Sequence, residues 1–447
     1  MQVVNPHSAG IDIGSRFHLV AVDQDEKNVK QFGVYHQDHE KMIEWFRERK
    51  IETIAMESTG NYWQTLFDAL QRAGFAVQLV SGKQTKNVKG KKTDVLDCLW
   101  IQKLHSLGLL TGSFLPAADI QSLRTYYHHR HHLISQCSKY INKMQKALRL
   151  MNVRLDIVLN DIMGLSGRTI IEAILQGERN AVQLASLANY RVKKSKEEIA
   201  KALEGNWRED LLFELEACLA LHDVYCEKLK SCDTTLEAKI GALISTEVEL
   251  PPDIKRTKLA KQRNKYTPGM DIERLCFHYY GVNLMQIQGV GNNTLLSLLI
   301  QIGDRIHQFP SSKHFCSWLR LAPNNKVSGG KTLSSRTPKG KNQLALALRQ
   351  AANAIGNQRS GELLYFFKRV AYRKGRASAI TATARKLACS IYNLLTKKED
   401  YKPVDMQTQS SRVKNKLIKN IKTKMSVLKL TKEQLMTLFE DCSISAS

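Results

Sequence analysis

The sequence predicts an α/β domain over residues 1–115, followed by a helical middle and a mainly α C-terminal domain. Two patterns carry that prediction. Short apolar runs alternate with amphipathic spacings through the first hundred residues, which implies a central sheet covered by helices. Farther on, apolar residues recur at steps of three and four, the seam of long paired helices. At 447 residues the chain is also too long for one ordinary core, so two or three domains are expected.

Within residues 1–115, a glycine-flanked strand carries Asp12, residues 19–23 continue it, and residues 29–35 return as its neighbour. Residues 39–50 space Met42, Trp45 and Phe46 as a helix does, and residues 52–56 form a short buried strand ending at Glu57. A helix over 62–73, a strand over 76–80 and a helix over 94–106 complete the domain.

Residues 116–250 form a coiled-coil assembly region. One heptad seam runs from Ile120 through Tyr127, Arg130 and Cys137 to Met151, and a second from Leu212 through His222, Cys226 and Asp233 to Leu243. Its polar members are suited to fixing register, and the two runs are free to pair with each other or across subunits. Between them, Gly164, Gly167, Gly177 and Gly205 mark short helices joined by tight turns. Residues 251–271 read as a basic linker, 272–400 as a third domain, and 401–447 as a Lys-rich tail.

A net charge of +25 and a pI near 9.6 favour nucleic acid or an anionic membrane surface as partner. No apolar run reaches the roughly 18 residues of a membrane span, and no secretory signal opens the chain, so a cytoplasmic nucleic-acid protein is expected. The nine cysteines form no CxxC pair, which argues for reduced thiols rather than a zinc ribbon. The cluster His128, His129, His131 and His132 reads as a solvated helix face, or one touching phosphates, before it reads as a metal site.

Four carboxylates are the candidate chemistry: Asp12, Glu57, and the pair Asp94 and Asp97, which helical spacing puts on one face. Taken singly, each is also a plausible cap or turn residue. Gathered in a basic chain they suggest a magnesium-dependent nuclease centre, because magnesium takes oxygen ligands and keeps several waters. Gly10 and Gly14 are expected to let a phosphate approach Asp12.

In the third domain, Ile287-Gln288-Gly289-Val290-Gly291 reads as a helix-hairpin-helix-like turn whose Gly289 and Gly291 amides suit a phosphate, or as a plain glycine turn. Ser328-Gly329-Gly330-Lys331 reads as a flexible or phosphate-contacting turn. The basic residues Lys331, Arg336, Lys339, Lys341, Arg369, Arg373 and Arg376 are candidate nucleic-acid contacts, the last three on one helical face. Tyr365, Phe366, Phe367 and Tyr372 are expected in the core.

Gly10-Ile11-Asp12-Ile13-Gly14, Met56-Glu57-Ser58-Thr59-Gly60 and Lys92-Thr93-Asp94-Val95-Leu96-Asp97 together resemble the DEDD-type insertion-sequence transposases of the "one-ten" family. The likeness extends through 159–167 and 202–207 to a Gly-Val-Gly turn followed by Ser-Gly. It implies an RNase H-like (RuvC-like) N-terminal domain and a C-terminal transposase domain. Asp12, Glu57, Asp94 and Asp97 would bind Mg2+, with Mn2+ as a substitute, and Ser328 would be the nucleophile, with Ser334 and Ser335 not separated from it by spacing. It further implies DNA recombination guided by a bridge RNA, and dimers assembling to tetramers in which acids and serine come from different subunits. The setting would be the bacterial cytoplasm, on the nucleoid when bound to DNA. A junction-resolving endonuclease using metal-activated water is the alternative, and a non-catalytic nucleic-acid binder a second.

Overall fold

The computed structural model describes residues 2–58, 60–82, 84–85, 93–243, 266–340, 342–399, 401 and 418. Lys341, most of the basic linker and nearly all of the 401–447 tail lie outside the described residues. The chain divides into two compact units, Met1–Leu115 and Pro116–Ser447.

The first unit holds strands β1 (Ser8–Ile13), β2 (Phe17–Ala21), β3 (Lys30–Gly33), β4 (Thr53–Glu57) and β5 (Ala76–Val80), with helices α1 (His36–Glu48), α2 (Trp63–Arg72) and α3 (Asp94–Ser106). The sheet order is β3-β2-β1-β4-β5. β1, β2 and β3 pair antiparallel, whereas β4 and β5 run parallel to β1. Residues 19–23 therefore do not continue the first strand; they fold back beside it. Strand side chains alternate between faces. Ala9, Ile11, Ile13, Ile54 and Met56 point to one side, into a core with Met42 and Phe46 of α1 and Leu66 and Leu70 of α2. Gly10, Asp12, Ala55 and Glu57 point to the other, where α3 lies.

α3 lies close on the sheet because Gly10 has no side chain. A Cβ there would stand 2.3 Å from the Gln102 amide nitrogen and 2.7 Å from the Cys98 carbonyl oxygen. Buried Gln102 fixes the contact, donating to the carbonyls of Ser8 and Val22 at 3.3 and 3.4 Å.

The second unit opens with α4 (Ala118–Leu150). Four short helices follow, α5 (Leu155–Val158), α6 (Leu165–Leu175), α7 (Ala181–Ser186) and α8 (Lys196–Ala202), and then α9 (Glu209–Leu243). α4 and α9 pair with each other. Arg130 meets Asp233, Leu133 meets Leu229, the Cys137 and Cys226 sulfurs are 3.7 Å apart, and Tyr140 stacks on Tyr225 at 5.6 Å. Partner numbers fall as α4 advances, so the pair is antiparallel. Arg130, 2% exposed, donates to Asp233 at 2.5 Å and to the Tyr266 carbonyl at 2.7 Å. A buried pair of this kind adds little net stability yet penalises any register that separates it. The short helices pack on the far end of the pair through Leu148, Met151, Ile170, Ile174 and Leu215.

The remainder comprises α10 (Ile272–Tyr280), α11 (Asn292–Ile302), α12 (Ser312–Trp318), a hairpin of β6 (Lys326–Ser328) and β7 (Lys331–Ser334), α13 (Gln343–Gly356), α14 (Glu362–Lys374) and α15 (Arg376–Lys397). α11 is buried at every position from Thr294 to Ile302, as expected of a helix that is apolar on nearly all sides. α4 is anchored to it: the Tyr127 hydroxyl bonds Ser297, and Arg124 donates to Gln301 at 2.7 Å. The aromatic group splits. Phe367 is buried, but Tyr365 and Tyr372 are 53% and 94% exposed, because α14 turns Leu363, Leu364 and Phe367 inward and leaves those two on the opposite side.

Candidate active site

Asp12 stands near the C-terminal end of β1. β1 and β4 are in parallel register, with Gly10 beside Ala55 and Ile11 beside Met56, so the next residues along the two strands are Asp12 and Glu57. Adjacent strands lie about 4.8 Å apart, which brings these two acids side by side on the α3 face. Asp94 and Asp97 sit in the first turn of α3. The cap of that helix is Thr93, whose hydroxyl accepts from the Leu96 amide at 3.3 Å, so Asp94 is not the cap.

Asp12 and Asp94 line one cavity of about 210 Å³ together with Gly14, Arg16 and Phe17. Buried Cys98, one turn into α3, feels the charges of two of the acids. Burial first, then the charges of Asp12 and Asp97, push its thiol up to about 12. Thr85 donates its hydroxyl to the Glu57 carboxylate, and Gly82 leaves room for it, since a Cβ there would lie 2.5 Å from Glu57 Oε1. The four acids therefore come to one end of one sheet face, half-buried at Asp12, Glu57 and Asp97 and exposed at Asp94. Among the described residues, no three His, Cys, Asp or Glu side chains are placed so that together they could hold a metal ion. Carboxylate oxygens are the donor type that a hard cation with water in its shell takes.

The glycines flanking Asp12 serve packing. Gly10 admits α3, and a Cβ at Gly14 would meet the Phe17 carbonyl oxygen at 2.5 Å, inside the tight turn between β1 and β2. Thr85, Thr93 and Arg16 escaped the sequence reading. Thr93 alone left a signal, as a capping residue directly before a helix.

In the second unit, Ser328 ends β6 and faces Lys331 across the hairpin. Gly329 and Gly330, with φ of 53° and 73°, form its two-residue turn, a conformation that residues with a side chain adopt at a cost. Residues 323–333 are exposed throughout, so the Ser328 hydroxyl and Lys331 face solvent at the hairpin tip. Gly289 is left-handed, with φ of 85°, and packs on Ile355, while Gln288 donates to Gln358 at 2.6 Å. That turn is tied to the α13–α14 connection, and Gly291 caps α11.

Arg336, Lys339, Arg369 and Arg373 are exposed. Arg376 does not share a helix with Arg369 and Arg373: α14 stops at Lys374, Gly375 follows with φ of 80°, and Arg376 begins α15. Its guanidinium donates to Asn353 and Asn357, both at 2.7 Å.

The profile of the DEDD transposases of IS110 type, described as "Transposase", matches residues 9–153, and that of the "Transposase IS116/IS110/IS902 family" matches residues 282–366. The chain is 32% identical over 123 residues to the transposase for insertion sequence element IS1111A of Coxiella burnetii, covering 27% of this chain and 34% of the relative. It is 31% identical over 113 residues to the insertion element IS110 uncharacterized 43.6 kDa protein of Streptomyces coelicolor, covering 25% and 28%. The matches thus span about a third or less of those relatives. The two profiles together cover just over half of the chain, which belongs to the IS110 family of DEDD transposases. Among the described residues, no helix is long and apolar enough to cross a membrane.

Proposed function

We propose that this chain is the transposase of an insertion sequence, a DNA recombinase that cleaves and rejoins strands through Ser328 with help from the four-acid face. The observation that carries the reading is the meeting of Asp12, Glu57, Asp94 and Asp97 at one end of the sheet in a chain of this family. An RNase H-like first unit is the fold reading that the five-stranded order and the acids' placement support.

Asp12, Glu57, Asp94 and Asp97 would hold Mg2+, or Mn2+ in its place, and a bound ion of this kind supplies charge neutralisation at the phosphate. The Ser328 oxygen attacks phosphorus as its proton is removed; the Oγ–P bond forms, and the bond from phosphorus to a deoxyribose oxygen breaks as that oxygen gains a proton. The phosphoserine conserves the diester's energy for rejoining. Lys331, Arg336 and Lys339, on the hairpin and just after it, would neutralise the strand, and Gly289 and Gly291 would contact a neighbouring phosphate. Guidance by an RNA, and tetramers built from dimers with serine and acids from different subunits, belong to the proposal through the family resemblance.

Plasmid excision assays test the reading. Asp12→Asn, Asp97→Asn and Ser328→Ala should each lower strand transfer by at least about 10³-fold, within the range of losses seen when a residue acting in the chemical step is removed. Mixing the Asp97→Asn and Ser328→Ala proteins should restore part of the activity. Cleavage retained by Ser328→Ala would instead favour a water-using endonuclease, and retained activity in both acid variants a non-catalytic binder.

A further inference from the structure

α4 and α9 are partners of similar length but opposite charge. From Ile120 to Leu150, α4 contains no Asp or Glu and carries Arg124, Arg130, Lys139, Lys143, Lys146 and Arg149. α9 carries exposed acids from Glu209 and Asp210 through Glu216 and Glu227 to Glu237. The basic charge of α4 is also ordered along its length. Lys139, Lys143 and Lys146 fall at steps of four and three, on the side opposite the buried seam residues Cys137, Met144 and Leu148.

With Ser135, Ser138 and Asn142, these lysines line an open trough of about 510 Å³ formed by α4 alone. Every lining residue is exposed, and none of them is apolar. Among the described residues, none of the three lysines is ion-paired. His128 and His132 continue the same helical face one to two turns earlier.

We propose that this face of α4 is a binding site for the phosphodiester backbone of nucleic acid. It deepens the recombinase reading and rests on it for the identity of the polyanion. The fit is one of charge and repeat. Lys139 and Lys146 are about 10 Å apart along the axis, a length over which a duplex presents roughly six phosphates. The hydroxyl and amide groups between them donate to phosphate oxygens at no charge cost. An anionic membrane would call for apolar residues flanking the lysines, and the trough has none. α9, with eight acids against the three lysines Lys228, Lys230 and Lys239, is net acidic and disfavours approach of the same polyanion.

The test uses the full chain and a triple variant, K139Q/K143Q/K146Q, with a random-sequence DNA duplex, a single-stranded RNA and anionic vesicles as probes. Glutamine keeps helix propensity near that of lysine, so the fold should hold. Between about 50 and 200 mM salt, the slope of log K against log salt should shrink by about 2.7 for the duplex or about 2.1 for the single strand, as three lost contacts require. Whichever probe shows the drop identifies the strand that lies on α4. The K139R/K143R/K146R protein should keep the wild-type slope, separating charge from any loss of folding. Wild-type binding with an unchanged slope in the triple glutamine variant overturns the α4 site and leaves the recombinase reading intact. Failure of the wild-type chain to bind any nucleic acid overturns both. A loss confined to vesicle binding also overturns the site.

Discussion

The acid face and the serine hairpin are built by opposite means. Asp12 and Glu57 stand on paired strands, Asp94 and Asp97 on a capped helix, and Gly10 and Gln102 clamp that helix onto the sheet. Ser328 stands on an exposed two-stranded ribbon held open by two glycines. In the proposed reaction, rigid elements would fix several carboxylates relative to one another, whereas a lone nucleophile would need reach. Substitutions should therefore cost stability at the acid face and activity alone at the hairpin.

The largest stability effect is expected at Gly10. Gly10→Val places a side chain where the α3 backbone lies, and should cost about 3 kcal/mol, the upper part of the range for overpacking. A calorimetric scan would show it as a lower-melting first unit, and an unchanged scan would mean that α3 does not depend on this contact. The second effect is acid sensitivity of the same unit. Burial, and then the charge of His39, lower His18 to about 4; burial also lowers His39 and His105. The unfolded chain takes up these protons near pH 6.5, above the folded values, so this stability is complete above pH 6.5 and is lost as pH falls toward 4. The melting temperature of wild type should fall more steeply across that window than that of His18→Leu, and parallel curves would contradict the His18 contribution. The smallest stability effect belongs to Gly329→Val, about 1–2 kcal/mol, because the left-handed strain stays local to an exposed turn. Its strand transfer should nonetheless fall sharply. Equal losses of stability at Gly10 and Gly329 would erase the contrast.

The same contrast governs what was legible in the sequence. α1 and α2 run within a few residues of the bounds expected, because half-buried helices imprint their period on the chain. The β6–β7 hairpin has no buried face, so it writes no alternation, and only Gly329-Gly330 announced it. Arg130 and Asp233 were visible as polar breaks in two seams, but nothing in either seam says which break faces which. Tyr365 and Tyr372 lie outside the core expected for aromatics because the helical phase set by Leu363, Leu364 and Phe367, not residue type, decides which side faces inward. The orienting hydroxyl of Thr85 lies outside any motif and needed the fold to bring it to Glu57.

The most direct measurement is to quench a strand-transfer reaction on DNA carrying the element's ends and map the protein–DNA adduct by peptide mass spectrometry. The account predicts a phosphodeoxynucleotide on the peptide containing Ser328, absent in Ser328→Ala and strongly reduced in Asp97→Asn. An adduct on Ser334 or Ser335, or cleaved DNA with no adduct at all, would contradict it.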